Sequence, residues 1–157
     1  MPENQRRATN DERRGKSDGE RGFSHRDLIV WQKGMMLVSA VYRFSQKFPT
    51  DERFGLTSQL RRAAVSVPSN VAEGRSRNST KDFIQFLHIA LGSVSEVETQ
   101  LEIARDLAFG TASGYAESMG LLEEERKMII AMIASLKNKD DARQTSSARR
   151  STLAARP

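Results

Sequence analysis

The stretch "SVPSNVAEG", residues 66–74, places polar side chains inside a segment whose flanks predict a helix. Spacings of four, four, three and four put five polar residues on one helical stripe. They are Arg62, Ser66, Asn70, Glu73 and Arg77. A serine nucleophile needs a base within reach, usually histidine. His25 stands at a predicted helix start and His88 lies off the apolar stripe of its helix, so the pattern favours interhelical hydrogen bonding over catalysis. We therefore expect no catalytic residue and no enzyme.

Patterns for metals and cofactors are also missing from the sequence. The chain has no cysteine, so thiolate sites and disulfides are excluded. A di-iron site in a helical bundle needs Glu-x-x-His on two helices, and this motif does not occur. Glu96 and Glu98 are two positions apart and point in different directions. No glycine-rich phosphate loop is present, so no metal and no cofactor are predicted.

Basic residues on the second predicted helix and the turn after it are the remaining functional signal. We take five of them as candidate contacts to nucleic-acid phosphates: Arg61, Arg62, Arg75, Arg77 and Lys81. For the first two an alternative is open, since Arg61 or Arg62 could form an ion pair with Glu96 or Glu98 across a helix–helix contact. The aromatic residues that interleave with basic ones in single-strand RNA readers are not seen along this segment.

Four amphipathic segments predict four helices, over about 27–47, 56–74, 80–108 and 115–137. The third keeps an apolar heptad stripe throughout, from Phe83 to Ala108. The first shows a stripe through Leu28, Trp31, Met35, Val38 and Tyr42. The neighbouring apolar residues widen the face of the first helix: Leu37, Val41, Phe44 and Phe48. No useful length alternates in the manner of a strand. Similar helix lengths and short connections predict an all-α fold, an antiparallel up-down four-helix bundle.

Two features of these helices suggest close packing and assembly. Pro68 lies within the second helix, where proline removes a backbone hydrogen bond and favours a kink, and small residues around it allow a neighbouring helix to approach. The third helix has apolar residues off its main stripe: Ile84, Phe86, Ile89, Leu91 and Ile103. A second buried face explains them, so we expect a homo-oligomer with Ile84 and Leu91 at the subunit interface. A broad core stripe is the alternative.

The two ends of the chain differ from its middle. Residues 1–22 and 138–157 contain almost no large apolar side chain, so we expect two disordered tails around a domain at 23–137. The net charge of +5 divides into +1, +1 and +3 for the N-terminal tail, the domain and the C-terminal tail. No apolar run could span a bilayer, and the N-terminus has no apolar core of a secretory signal. These features predict a cytoplasmic protein.

Several stretches resemble a known family. "SQLRRAAVSVPSNVAEG" and "IALGSVSEVET", with "FSHRDLIVWQKGMMLVSAVYRFSQKFP" before them and "GY" after, are similar to the four-helix bundle protein family. That family includes proteins encoded in intervening sequences of bacterial 23S rRNA genes. It is similar in fold to the accessory variability determinant of diversity-generating retroelements. The resemblance covers about residues 23–137. The matching positions are Arg61, Arg62, Ser66, Pro68, Asn70, Glu73, Gly74, Glu96 and Glu98.

The resemblance implies an up-down bundle, usually assembled as a pentameric ring, with no established enzymatic activity. The retroelement relative binds a reverse transcriptase and nucleic acid through basic residues. The resulting expectation is a non-enzymatic oligomeric protein associated with RNA or DNA. A protein–protein adaptor without nucleic-acid binding is the alternative.

Overall fold

Four helices form the described part of the chain. The computed structural model describes residues 24–154, with α1 at Ile29–Ser45, α2 at Leu56–Ser76, α3 at Thr80–Asp106 and α4 at Ala112–Ala154. Short 3-10 turns, His25–Asp27 and Thr50–Phe54, precede α1 and α2. No strand occurs within these residues, so the all-helical class predicted from the sequence is confirmed.

Side-chain caps explain several of the helix boundaries. Ser24 and Asp27 form a reciprocal capping box around the first 3-10 turn, and α1 begins two residues after it. Glu52 accepts a hydrogen bond from the Leu56 backbone N–H at 2.9 Å, where α2 begins. Ser79 accepts one from the Asp82 N–H at 3.0 Å and caps α3. The short connections therefore come from local chemistry that the sequence encodes.

One hydrophobic core lies between the four helices. Each helix packs against the next along the chain, and α4 also packs against α1. Most of the predicted stripe of α3 is buried: Phe83, Leu87, Ala90, Val94, Val97, Leu101 and Ala104. Its last predicted member, Ala108, is exposed, because α3 ends at Asp106. On α2 the buried set includes Leu60, Ala64, Val67 and Val71, and on α4 it includes Leu122, Ile129 and Ile133. Burial of these apolar side chains is the main force that holds the helices together.

The buried face of α1 is the part of the predicted apolar face that contains Leu37, Val41 and Phe44, and not the part with Met35 and Tyr42. Met35 and Tyr42 are 43% and 40% exposed, whereas the core receives Val30, Gly34, Leu37, Val41 and Phe44. Both sets follow helical spacing, so periodicity alone could not choose between them. Gly34 lies at a close approach of α1 to α2 and α4, because a β-carbon there would lie 3.2 Å from Pro68 Cβ and from Glu125 Oε1. Tyr42 is turned towards the surface.

α4 is longer than predicted. The composition of residues 138–157 predicts disorder, and the structure instead continues α4 as helix to Ala154. Local side-chain bonds accompany this extension: Gln144 donates to the Asp140 carboxylate at 3.1 Å and Thr145 to the Asp141 carbonyl at 2.9 Å. A segment without apolar residues cannot contribute to a hydrophobic core, but it can still form a helix if side-chain pairs within the helix support it.

The N-terminal tail predicted at residues 1–22 lies outside the described residues. Within those residues, no helix is long and apolar enough to cross a membrane.

Candidate nucleic-acid interface

The polar residues of the "SVPSNVAEG" stretch join α2 to α3. Ser93 donates to Ser66 Oγ at 2.9 Å, and Asn70 Nδ2 donates to the Ser66 carbonyl and hydroxyl oxygens at 2.8 and 3.0 Å. His88 is exposed. Ser66 accepts hydrogen bonds from Asn70 and Ser93, and neither residue is a base. The stretch thus contributes one interhelical hydrogen bond, from Ser93 to Ser66, while the two bonds of Asn70 lie within α2.

Small residues in the same stretch allow close helix packing. A β-carbon on Gly74 would lie 2.6 Å from Phe86 Cβ and 2.8 Å from Phe83 Cδ2, so α3 contacts the backbone of α2 there. Pro68 is buried, and its Cβ lies 3.2 Å from the point that a β-carbon on Gly34 of α1 would occupy. Glu73, one residue before Gly74, forms an ion pair with Arg77. The motif therefore brings α2 against both of its neighbours.

Glu125 is a buried acid that the sequence analysis missed. It lies on the core stripe of α4 between Leu122 and Ile129, is fully buried, and neither carboxyl oxygen has a hydrogen-bond partner among the described protein groups. Burial raises the pKa of Glu125 to about 8, and the charge of nearby Lys33 opposes this only in part. The side chain is thus a neutral acid at pH 7. Its position between two core residues was the signal that could have revealed it.

The turn between α2 and α3 forms a basic pocket with α4. Arg75, Arg77 and Lys139 line a pocket of about 460 Å³, together with the start of α3. The other lining residues include amide and hydroxyl groups: Asn78, Ser79, Thr80 and Ser135. We call this the turn pocket. Of the five predicted basic residues, two line this pocket, and Lys81 lies exposed on the first turn of α3 beside it. Lys139 was assigned to a tail and was not predicted here.

The basic character continues along α4 beyond the turn pocket. Arg143 and Arg150 are exposed and line a shallow depression with Ala142, Ser146 and Ser147. Spacings of four and seven residues place Lys139, Arg143 and Arg150 on one helical face. At a rise of 1.5 Å per residue, Arg150 lies about 17 Å beyond Lys139. Asp141 falls on another face of the helix, whereas Asp140, three residues before Arg143, lies beside the strip. One basic strip therefore extends from the turn pocket along the α4 extension.

Comparison with known proteins identifies the family. The sequence pattern of the 23S rRNA-intervening sequence protein family matches residues 26–131. The chain belongs to this family. A crystal structure at 1.70 Å of a protein of unknown function, from the S23 ribosomal protein family of Bacteroides thetaiotaomicron, is similar to the chain. The two share 26% identity with a TM-score of 0.60, over 67% of this chain and 98% of that one. No curated protein matches.

The 23S rRNA-intervening sequence family match includes Arg61 and Arg62, for which ion pairing was an open alternative. No ion pair joins either arginine to Glu96 or Glu98 within residues 24–154. Arg61 donates to Ser45 Oγ at 2.8 Å and lies 4.7 Å over the Tyr42 ring. Glu98 instead pairs with Arg126 of α4 at 2.6 Å, a partner that the sequence analysis did not consider. Arg62 shares the lining of a small pocket with Glu96. The predicted pairing is therefore not found.

The two residues predicted at a subunit interface also lie within the family match at residues 26–131. Ile84 and Leu91 are partly buried and pack against the core, whereas Ile89 and Ile103 of α3 are 46% and 43% exposed. No group of acidic or histidine side chains that could hold a metal ion was found among the described residues.

Proposed function

We propose that this member of the 23S rRNA-intervening sequence family is a non-enzymatic, oligomeric protein that associates with nucleic acid, above all with RNA. The observation that carries the proposal is the basic strip, in which Arg75, Arg77 and Lys139 surround one pocket and Arg143 and Arg150 continue the same surface. Such a row of cations contacts phosphates without reading bases.

Charge placement supports binding through this strip. The domain at residues 23–137 has a net charge of only +1, so an evenly spread charge would attract nucleic acid weakly. The strip instead concentrates cations on one side, and its α4 segment belongs to the chain end with +3. Clustered cations raise the local potential even where the net charge is modest.

Family and packing support the remaining parts of the proposal. The family and the similar structure are both named after ribosomal components, which is consistent with an RNA partner. The short connections between packed helices support an antiparallel up-down course. Exposed Ile89 and Ile103, beside Ile84 and Leu91, provide apolar surface for contacts between copies, and we propose a ring of about five copies on the strength of the family resemblance alone.

Salt dependence tests the RNA association directly. A fluorescent RNA duplex is titrated with the full-length protein over a range of salt concentrations. Binding should weaken steeply with salt, because each phosphate contact releases a counterion. The variant Arg75→Ala/Arg77→Ala/Lys139→Ala should bind much more weakly and with a shallower slope. Arg43→Ala/Lys47→Ala/Lys127→Ala removes the same charge elsewhere and should bind like the parent.

Two results would contradict the proposal. If the parent protein does not bind RNA even at low salt, the exposed apolar residues of α3 favour the second candidate, an adaptor that contacts a protein such as a reverse transcriptase. If both triple variants lose the same affinity, binding depends on net charge and not on the strip. Lys81→Ala is then the next single variant to compare.

A further inference from the structure

A second basic surface lies beside the first half of α2, away from the turn pocket at the other end of this helix. It contains two exposed aromatic rings. A groove of about 580 Å³ runs between α1, the 3-10 turn Thr50–Phe54 and the start of α2. Its lining includes Tyr42, Phe54 and Val65, together with three arginines, Arg53, Arg61 and Arg62. Thr57, Ser58 and Ser66 complete the lining. We call this the aromatic groove.

The two aromatic side chains of this groove are not part of the hydrophobic core. Phe54 is 88% exposed and Tyr42 is 40% exposed. Arg53 lies 5.6 Å from the centre of the Phe54 ring, and Arg61 lies 4.7 Å from that of Tyr42. Each ring therefore has a guanidinium group over one face. The rings come from different segments, so the fold and not the sequence order places them together.

The charged side chains that line the aromatic groove are all basic, and Glu96 lies in an adjoining pocket that shares Arg62 and Ser66. None of the described residues that line it is acidic. The nearest carboxylate in sequence, that of Glu52, accepts the Leu56 backbone N–H at 2.9 Å and so is held by the start of α2. Arg61 is held in place by its bond to Ser45. A ligand for this groove must carry negative charge and flat apolar faces together.

We propose that the aromatic groove binds single-stranded nucleic acid, with unpaired bases stacked on Phe54 and Tyr42 and phosphates beside the arginines. Single strands present alternating base faces and phosphates, and grooves that bind them combine cations with aromatic platforms. A duplex keeps its base faces stacked inside and cannot use such a platform. The inference rests on the proposed RNA association and assigns to it a preference for unpaired strands.

A second copy of the chain fits this groove less well. An isologous contact would bring three arginines against three arginines, and in a ring, where contacts are heterologous, the next copy would have to offer a surface both acidic and apolar. A peptide would need both acidic and aromatic groups to satisfy the same surface. Charge complementarity therefore favours the nucleic-acid strand, and the other two occupants become outcomes of the test.

The experiment compares three probes on the full-length protein. They are a fluorescent uridine strand of about 12 nucleotides, within the usual range of such sites, an RNA duplex of the same length, and an abasic strand. The parent should bind the uridine strand more tightly than the other two. Phe54→Ala should weaken binding of the uridine strand by about tenfold or more, the effect expected of one stacking ring, and should leave the duplex and the abasic strand unchanged.

Two further variants separate stacking from other contacts. Phe54→Trp keeps a flat ring and should retain the affinity for the uridine strand, while Phe54→Leu keeps apolar bulk without a ring and should lose it. Leu107→Ala removes another exposed apolar side chain, 54% exposed and outside the groove, and should change nothing. Because Phe54 is almost fully exposed, none of its variants should unfold the protein.

Each other result overturns the inference. If Phe54→Leu binds the uridine strand like the parent, the groove accepts apolar groups in general, as a peptide would require. If Phe54→Ala changes the sedimentation of the free protein, the groove is a contact between copies. If the parent binds strand and duplex equally and Phe54→Ala has no effect, this inference fails while the proposed function stands. If the parent binds none of the probes, both fail.

Discussion

The Oε1 atom of Glu125 lies 3.2 Å from the point that a β-carbon on Gly34 would occupy, and Pro68 Cβ lies at the same distance from that point. Three helices therefore meet at a position where an added β-carbon would be tightly packed. Two predictions follow from the crowding and from the buried acid at this point.

Gly34→Ala should destabilise the protein although alanine favours helix formation. The added methyl group must displace a proline ring or a buried carboxyl, and overpacking of this kind costs about 1–3 kcal/mol. Gly92 of α3 has no heavy atom within 4 Å of its would-be β-carbon, so Gly92→Ala should instead stabilise by up to about 1 kcal/mol. Urea unfolding of both variants measures the difference. An equal gain in stability for the two would contradict the proposed crowding.

Glu125 should make the protein less stable as the pH rises. Its pKa is about 8 in the folded protein against an ordinary value of 4.5, so the folded state keeps a proton that the unfolded state loses. The free energy of unfolding should therefore fall between about pH 5 and 8, by up to about 1.4 kcal/mol per pH unit. Below pH 4.5 and above pH 8 this contribution should be flat.

Glu125→Gln should remove this slope and be more stable than the parent at pH 8. Glu124→Gln is the matched control, because Glu124 is an exposed neighbour that pairs with Lys33 at 2.6 Å. The hydrogen bond from Lys33 lowers the pKa of Glu124, so its contribution is lost only as the pH falls through that lowered value. Chemical unfolding over a pH series distinguishes the two. A slope that persists in Glu125→Gln would assign it to another group.

Leu87→Ala and Leu101→Ala should each destabilise the protein by about 2–5 kcal/mol. Both side chains are fully buried on the α3 stripe, so each change leaves a cavity. Ile89→Ala on the exposed side of α3 is the control and should change stability by about 0.5 kcal/mol at most in a single copy. Thermal melts that match the parent for the two leucine variants would refute the assigned face.

Removal of residues 140–157 should leave the core intact. Leu136 is the last residue of α4 that packs against the core, so the free energy of unfolding should change by about 0.5 kcal/mol or less. Circular dichroism should show less helix, because α4 continues to Ala154 in the structure. A large loss of stability would mean that the extension contacts the rest of the protein in solution.

The sequence predicted the parts of the fold that depend on one strong stripe. α3 carries an unbroken heptad, and its apolar stripe is buried as predicted from Phe83 to Ala104, although Ala108 is exposed after the end of the helix. α1 carries a broad apolar face, and which part of it lies deepest in the core depends on what α2 and α4 present to the helix. That information is tertiary, and periodicity cannot contain it.

The candidate surfaces were only partly predictable for the same reason. Arg75 and Lys139 are distant in the chain and meet only because α4 returns past the turn between α2 and α3. Tyr42 of α1 and Phe54 of the turn before α2 line one groove only because the two segments pack side by side. Arg126 pairs with Glu98. It lies in a run of charged residues, and the sequence alone does not indicate which of them faces α3.

The length of α4 has a consequence for how its amide hydrogens exchange with solvent. The helix is continuous from Ala112 to Ala154, yet only the part up to Leu136 is held by the core. Amides in the first part can exchange only when the packed helices open, whereas those after Lys139 depend on the helix–coil equilibrium of a polar segment, which is marginal for so short a length. Deuterium uptake should therefore change sharply within a single helix, and a nucleic acid bound along Lys139, Arg143 and Arg150 should slow uptake specifically beyond that boundary.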